Sequence, residues 1–322
     1  MQYGRLGQSG LKVSRIALGC MSYGDTARGF NEWSLDEESA KPFFQQAVEL
    51  GVNLWDTANV YQRGSSEEFV GRAIKEYSRR EEIVVATKLS GKMHEGPGGQ
   101  GLSRGAIMEQ IDASLSRLGT DYVDLYLIHR FDPDTPVEET MEALHDVVKA
   151  GKARYLGASS MFAWQFAKLQ HAARLNGWTR FVAMEDQYNL LKREEEREML
   201  PMCADTGVGC IPYSPLGKGR LTRPWGEQTQ RSERDAVAKT FDSDVDRPVV
   251  EAVQKVAEVR GVPMAQVALA WVLSKPVVSA PIVGATKPHH LADAVAALDV
   301  VLTDDEIRML EEPYTPQAPY WF

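Results

Sequence analysis

Four residues with acid–base or donor chemistry stand close to the ends of short apolar runs. Asp56 follows Val52-Asn53-Leu54-Trp55, Lys88 follows Ile83 to Thr87, and His129 follows Tyr122 to Ile128. Tyr61 comes five residues after Asp56. A tyrosine hydroxyl, with an ordinary pKa near about 10, is a poor acid at neutral pH. A neighbouring ammonium stabilises the phenolate and lowers that value. Lys88 is placed to supply the ammonium, Asp56 to hold it, and His129 to hydrogen-bond a substrate oxygen. Such a set suits protonation of an oxyanion that forms as hydride reaches a carbonyl carbon. None of these side chains provides hydride, so a cofactor is required. Taken singly, an Asp–Lys pair is a salt bridge and a tyrosine is packing. Only a fold that brings the four together gives them this chemistry.

The rest of the sequence predicts such a fold. Short runs rich in Val and Ile alternate with helical patterns over nearly all of the 322 residues. The predicted strands are Ser14–Gly19, Val52–Trp55, Ile83–Thr87, Tyr122–Ile128, Ala153–Ala158, Phe181–Glu185, Val208–Pro212 and Val278–Ile282. Helical patterns follow each of them, with Gly51, Gly177 and Gly207 as stops. Strands joined through helices are parallel, and eight such units favour a closed barrel over an open sheet. The predicted class is α/β, a single (β/α)8 TIM-barrel domain over residues 1–322. Met1 to Val13 reads as an N-terminal β-hairpin plugging the barrel. Two long segments, Ser214 to Arg247 and Pro313 to Phe322, break the rhythm and are candidate binding loops. Active sites of such barrels lie where the strands end, and Asp56, Lys88 and His129 are at such ends.

Composition narrows the function. A formal net charge of −9 argues against a nucleic-acid binder. The apolar runs are strand-sized, so no membrane span is expected, and Met1 to Gly10 lacks the apolar middle of a signal peptide. Cys20, Cys203 and Cys210 are an odd, sparse set, which fits a reducing, cytoplasmic setting without disulfides or bound metal.

Two motifs are set aside. Gly96-Pro97-Gly98-Gly99-Gln100-Gly101 spells a dinucleotide fingerprint, with Asp121 twenty residues on, but it does not directly follow a strand and has proline in the turn. Gly217-Lys218-Gly219 lacks the remainder of a P-loop. Two rival functions stay open. A glycoside hydrolase would need a second carboxylate beside Asp56, and Glu185 and Asp186 are outlying candidates. A non-catalytic binding or regulatory subunit would need no intact Tyr61 and His129.

The sequence resembles the aldo-keto reductases over essentially its whole length. The motifs that carry the resemblance are Asp56-Thr57-Ala58-Asn59-Val60-Tyr61 with Gly64 and Glu67-Glu68, then Thr87-Lys88, and Tyr122 to His129. They continue with Gly157-Ala158-Ser159-Ser160, Gln187-Tyr188-Asn189, Tyr213-Ser214-Pro215-Leu216 with Gly219 and Leu221, and Pro281 to Thr286. It looks closest to the bacterial branch related to aryl-alcohol dehydrogenases and potassium-channel β-subunits. The resemblance implies a catalytic tetrad of Asp56, Tyr61, Lys88 and His129, and NADPH lying across the barrel mouth. It implies that Ser159, Ser160 and Gln187 contact the nicotinamide carboxamide and that Tyr213 stacks on the ring. Ser214, Leu216, Gly217, Lys218 and Gly219 would follow the pyrophosphate, with Gly19, Cys20 and Met21 near the ribose. At the adenosine end, Gly284, Thr286, His290, Asp293 and Ala294 stand where relatives carry Gly, Ser or Arg, Gln, Glu and Asn. Thr286, Lys287 and Arg231 are candidates for a 2′-phosphate, which needs cationic donors.

A small carbonyl compound is the expected substrate. Tyr23, Phe30 and Trp33 after the first strand, Arg130 and Phe131 after His129, and Tyr320-Trp321-Phe322 at the chain end would give the pocket aromatic walls around Tyr61 and His129. Arg130 would bind an acidic substrate group or pair with Asp132. The oligomeric state is left open.

Overall fold

The computed structural model describes residues 1–29, 31–227 and 243–318. A hairpin opens the chain: β1 (Tyr3–Arg5) pairs antiparallel with β2 (Lys12–Ser14). Eight strands then form one sheet in which every neighbouring pair is parallel. They are β3 (Ala17–Gly19), β4 (Leu54–Asp56), β5 (Val84–Leu89), β6 (Val123–Ile128), β7 (Ala153–Ser159), β8 (Phe181–Glu185), β9 (Gly209–Cys210) and β10 (Ile282–Gly284). Sequence order is kept from β3 to β9, and β10 lies beside β3. Hydrogen bonds then close the curl. Cys210 N donates to Val277 O (3.0 Å), Ser279 N to Cys210 O (2.7 Å) and Ile282 N to Pro212 O (2.8 Å). This is the expected (β/α)8 barrel.

Helices α1 (Glu37–Glu49), α2 (Ser65–Tyr77), α3 (Arg104–Leu118), α4 (Val137–Lys149), α5 (Ala163–Asn176) and α6 (Met199–Thr206) follow the strands in turn. After β9 come α7 (Arg247–Arg260) and α8 (Met264–Leu273), and after β10 come α9 (His290–Ala296) and α10 (Asp304–Glu311). Among the described residues no single helix is long and apolar enough to cross a membrane.

The pleat separates two cores. Side chains alternate across a strand, so inward and outward positions have a period of two. Ala17, Leu54, Val84, Ala86, Leu125, Leu127, Ala183 and Ile211 fill the barrel interior with Leu6 and Val13 of the hairpin. Their neighbours Leu18, Trp55, Val85, Tyr126, Ile128 and Met184 face the helices. The hairpin therefore plugs the bottom of the barrel. Its turn is clamped against β9, with Gln8 N on Gly207 O at 2.8 Å. Gly7, at φ +56, is needed there, because a Cβ would stand 2.4 Å from Gly207 O.

Two strand boundaries differ from expectation by more than two residues. Ser14 belongs to the hairpin, where it pairs with Tyr3, and the first barrel strand begins at Ala17. The last strand was expected at Val278–Ile282 but runs Ile282–Gly284. Pro281 has no N–H to give a ladder, so Val278 makes only an isolated bridge to Cys210 before the proline.

Candidate active site

The pleat that builds the interior also aims the site. Asp56 lies two residues after Leu54, Lys88 two after Ala86, His129 two after Leu127, and Glu185 two after Ala183. All four preceding residues point inward. The next inward position, at the C-terminal end of each strand, is therefore the polar residue. Below it the interior is apolar, and above it the barrel opens.

Tyr61 arrives by a loop that continues the ladder. Thr57 N donates to Ala86 O (2.9 Å) and Asn59 N to Lys88 O (3.1 Å), which fixes the path after β4. The chain then turns through Gln62 (φ +45) and Arg63 (φ +50) into α2. Two consecutive non-glycine residues in the left-handed region are strained, and such strain persists where surrounding structure holds it. Here the fully buried Gln62 side chain does the holding. It accepts from Asn31 N (3.1 Å) and donates to Asn31 O (2.7 Å) and to Ser34 Oγ. The Tyr61 turn is thereby bound to the loop that carries Trp33.

Lys88 is the centre of the cluster and has no exposed surface. Its Nζ donates to both Asp56 oxygens (2.7 and 2.6 Å), to Thr57 O (3.1 Å) and to Tyr61 Oη (3.4 Å). Glu185 Oε1 is 3.3 Å from the same ammonium. The His129 ring meets the Tyr61 ring edge-on, with centroids 5.9 Å apart. The four sequence-predicted groups are thus in one cluster, and Glu185 joins them.

The electrostatics follow from burial. Burial alone would lower the Lys88 value, but Asp56, Glu185 and Tyr61 together raise it, so the ammonium persists. Burial, then Lys88 and Arg130, hold His129 well below its ordinary value, so its ring is neutral. Tyr61 departs from expectation. Burial pushes its hydroxyl up, Lys88 pulls it down, and Asp56 and Glu185 push it up again, with a net rise. Lys88 limits the rise without reversing it, because the hydroxyl has been taken out of water. The hydroxyl therefore stays protonated at neutral pH.

The expected cofactor positions lie around the same mouth. Ser159 faces Glu185 across the β7–β8 ladder. Ser160, at φ +50, takes Asp186 Oδ1 on its backbone N (2.9 Å) and donates from Oγ to Tyr213 Oη (3.3 Å). Gln187 and Tyr213 form a parallel bridge beyond β8 and β9. Ser214 (φ +51) precedes the tight loop of Gly217 (φ +56), Lys218 (φ +55) and Gly219 (φ +88). Such a loop, with lysine in it, exposes main chain to an anion. The serines, the tyrosine ring and this loop fit a molecule with an amide, a flat ring and phosphates. Gly19 and Met21 flank Cys20, which is fully buried and offers only main chain; its carbonyl already accepts from Ser66 Oγ (2.8 Å). Farther round, Gly284 and Lys287 are exposed, and Thr286 N donates to His290 Nδ1 (3.2 Å). Asp293 Oδ1 accepts from Gln266 Nε2 (3.2 Å), and Ala294 is buried.

The substrate positions divide. Trp33 and Arg130 are half-buried at the mouth, with Arg130 Nη1 donating to His129 O (2.8 Å). Asp132 is engaged by Leu102 N, Asp134 N and Thr135 Oγ1. Tyr23 is a correction. It has no exposed surface: its ring packs on Phe43 and Phe44 and its hydroxyl donates to Ala285 O (2.8 Å). It is a core residue that ties the first loop to the last strand, not a pocket wall. Phe162 and Trp164, after β7, are exposed aromatic residues that the sequence did not single out, and Trp164 packs on Phe131. Phe30, Arg231 and Tyr320 to Phe322 lie outside the described residues.

The chain is similar to known proteins over nearly its whole length. The aldo/keto reductase family pattern matches residues 15–314. Versiconal hemiacetal acetate reductase of Aspergillus parasiticus is 46% identical, over 99% of this chain and 98% of its own. Aldo-keto reductase AFTS1 of Alternaria alternata is 43% identical, over 98% and 92%. A putative aryl-alcohol dehydrogenase of Schizosaccharomyces pombe is 43% identical, over 98% and 96%. These relatives are fungal, so the expected bacterial branch finds no support. With the barrel, the cluster at its mouth and a match spanning nearly the full length, the chain belongs to the aldo/keto reductase family.

Proposed function

We propose that this protein reduces aldehydes or ketones to alcohols with NADPH, and that Tyr61 donates the proton. The observation that carries this is the Lys88 ammonium, held by both Asp56 oxygens and 3.4 Å from the Tyr61 hydroxyl. The nicotinamide supplies hydride when bound. Ser159, Ser160 and Gln187 would hold its carboxamide, Tyr213 its ring, and Ser214 with residues 216 to 219 its phosphates. Tyr61 and neutral His129 would receive the carbonyl oxygen, and Tyr61 Oη–H would protonate it as negative charge develops there. Lys88 stabilises the phenolate left behind, which then recovers a proton from solvent. Lys287 and Arg231 support a preference for the 2′-phosphate.

Aromatic carbonyl compounds fit the mouth best. Trp33, Phe131 and Phe162 stand on the loops leaving β3, β6 and β7, Trp164 is in the first turn of α5, and relatives include putative aryl-alcohol dehydrogenases. Three free thiols, all buried, suit a reducing, cytoplasmic setting. The test is turnover of nitrobenzaldehyde, with Tyr61→Phe as the variant. Its turnover should drop by roughly 10²-fold or more while fluorescence quenching by NADPH is nearly unchanged. Near-normal turnover sinks the assignment of Tyr61, and equal kcat/KM for NADH and NADPH sinks the cofactor preference. Quenching without turnover of any carbonyl compound would favour a sensing subunit instead.

A further inference from the structure

Glu185 lies outside the four groups used above. It ends β8, is 2% exposed, and follows an inward-facing residue by two, so its carboxyl enters the barrel mouth beside Asp56 and Lys88. Oε1 is 3.3 Å from Lys88 Nζ, and Oε2 is buried with no hydrogen-bond partner among the described residues. The charged and titratable groups around it are Asp56 from β4, Tyr61 from the following turn, Lys88 from β5, and Arg130 after β6, with neutral His129 on the same rim.

One ammonium therefore serves two buried carboxyl groups. Asp56 takes the shorter contacts with both oxygens. If Glu185 were also ionised, a second negative charge would lie out of water with a long contact to Lys88 and an orphaned oxygen. A proton on Glu185 removes that charge and makes its carboxyl a donor, with Asp56, held by the same ammonium, as the neighbouring acceptor. Carboxyl pairs that share a site behave in this way.

We propose that Glu185 is a positioning residue that works as a neutral carboxyl bonded to Asp56, leaving the Lys88 charge directed at Tyr61, and that its ionisation shuts off reduction on the alkaline side. The proposal rests on the reading of Tyr61 as proton donor. Burial and then the Asp56 charge push the Glu185 carboxyl up to about 8, as this geometry requires. The sign on catalysis is fixed by charge. Reduction turns Tyr61 into a phenolate, and an ionised Glu185 opposes that phenolate.

Two measurements test it. In cofactor-free protein at neutral pH, difference infrared spectra of wild type and E185Q should show a protonated carboxyl stretch that the variant lacks. The stretch should titrate away near pH 8. In turnover, the wild-type kcat should fall above that pH, whereas E185Q, normalised to its own plateau, should hold the plateau about one pH unit higher or more. Gln keeps the shape and the donor to Asp56 but cannot ionise. Absence of the band, or coincident pH profiles, overturns the role of Glu185 and leaves the reductase reading intact. A wild type that turns over no carbonyl compound refutes the reductase reading, and the infrared band then decides the protonation of Glu185 alone.

Discussion

Replacing Lys88 by Met separates the charge of this residue from its bulk, since both side chains are long and unbranched and the site is fully buried. The ammonium lies 3.4 Å from Tyr61 Oη. At an effective dielectric constant of about 20, a full charge on the phenolate at that distance is worth about 5 kcal/mol. If half of that charge has developed at the transition state, the loss is about 2.4 kcal/mol, or roughly 60-fold; complete development gives roughly 4000-fold. Lys88→Met should therefore lower kcat/KM for an aromatic aldehyde by a factor within that range. Stability should fall as well, by about 3–5 kcal/mol near neutral pH, because Asp56 loses its buried partner. The loss depends on pH in a defined direction. Burial already outweighs Lys88 and holds the folded Asp56 above its ordinary value of 3.8, and loss of the ammonium raises it further. The variant is thus penalised progressively as pH rises above that value, and the gap to wild type narrows in acid. Urea denaturation of both proteins near pH 4 and pH 7, beside steady-state kinetics, checks both parts. A kcat/KM within tenfold of wild type, or a stability gap that ignores pH, would refute the reasoning.

Two further predictions concern charges away from the reacting atoms. Arg117 Nε donates to Glu67 Oε2 at 2.6 Å, and Glu67, fully buried, also takes Thr87 Oγ1 at 2.6 Å. Arg117→Met strands that carboxylate beside the strand that carries Lys88, and denaturation at neutral pH should show a loss of about 3–5 kcal/mol; less than 1 kcal/mol would mean the pair is not needed. Glu306 caps α10 through Thr303 and accepts from Arg260 at 2.5 Å through each oxygen. The Arg260 hydrogen bonds bring its carboxyl down to about 2 from 4.5, so its contribution to stability is complete above pH 4.5 and disappears as pH falls toward 2. The Tm gap between wild type and Glu306→Gln should close across that window, and a constant gap would show that the pairing does not act through charge.

How far the sequence could carry these conclusions depends on what each one needs. The end of a strand is a local feature, and it is enough to bring Asp56, Lys88 and His129 to one rim. The same feature reaches Glu185, which ends β8 two residues after inward-facing Ala183. Residue types alone offer it only as an outlying second carboxylate for glycoside hydrolysis, because nothing local says that β8 and β5 bring a carboxylate to 3.3 Å from Lys88. Tyr23 failed for a related reason. Its hydroxyl bonds Ala285 O, 262 residues along the chain, and no window of sequence contains that contact. The direction of the Tyr61 shift failed because the sequence names a cation nearby but does not say how much water is removed. Burial and charge oppose each other at this hydroxyl, and only the packed structure says which prevails. These misses have one physical origin: pair chemistry is legible from residue types, whereas the balance between desolvation and pairing is a property of the closed barrel. That is why Glu185 matters to the site. With Lys88 shared between two carboxyl groups in a dry interior, the protonation of Glu185 decides how much of the ammonium's field remains for the phenolate of Tyr61.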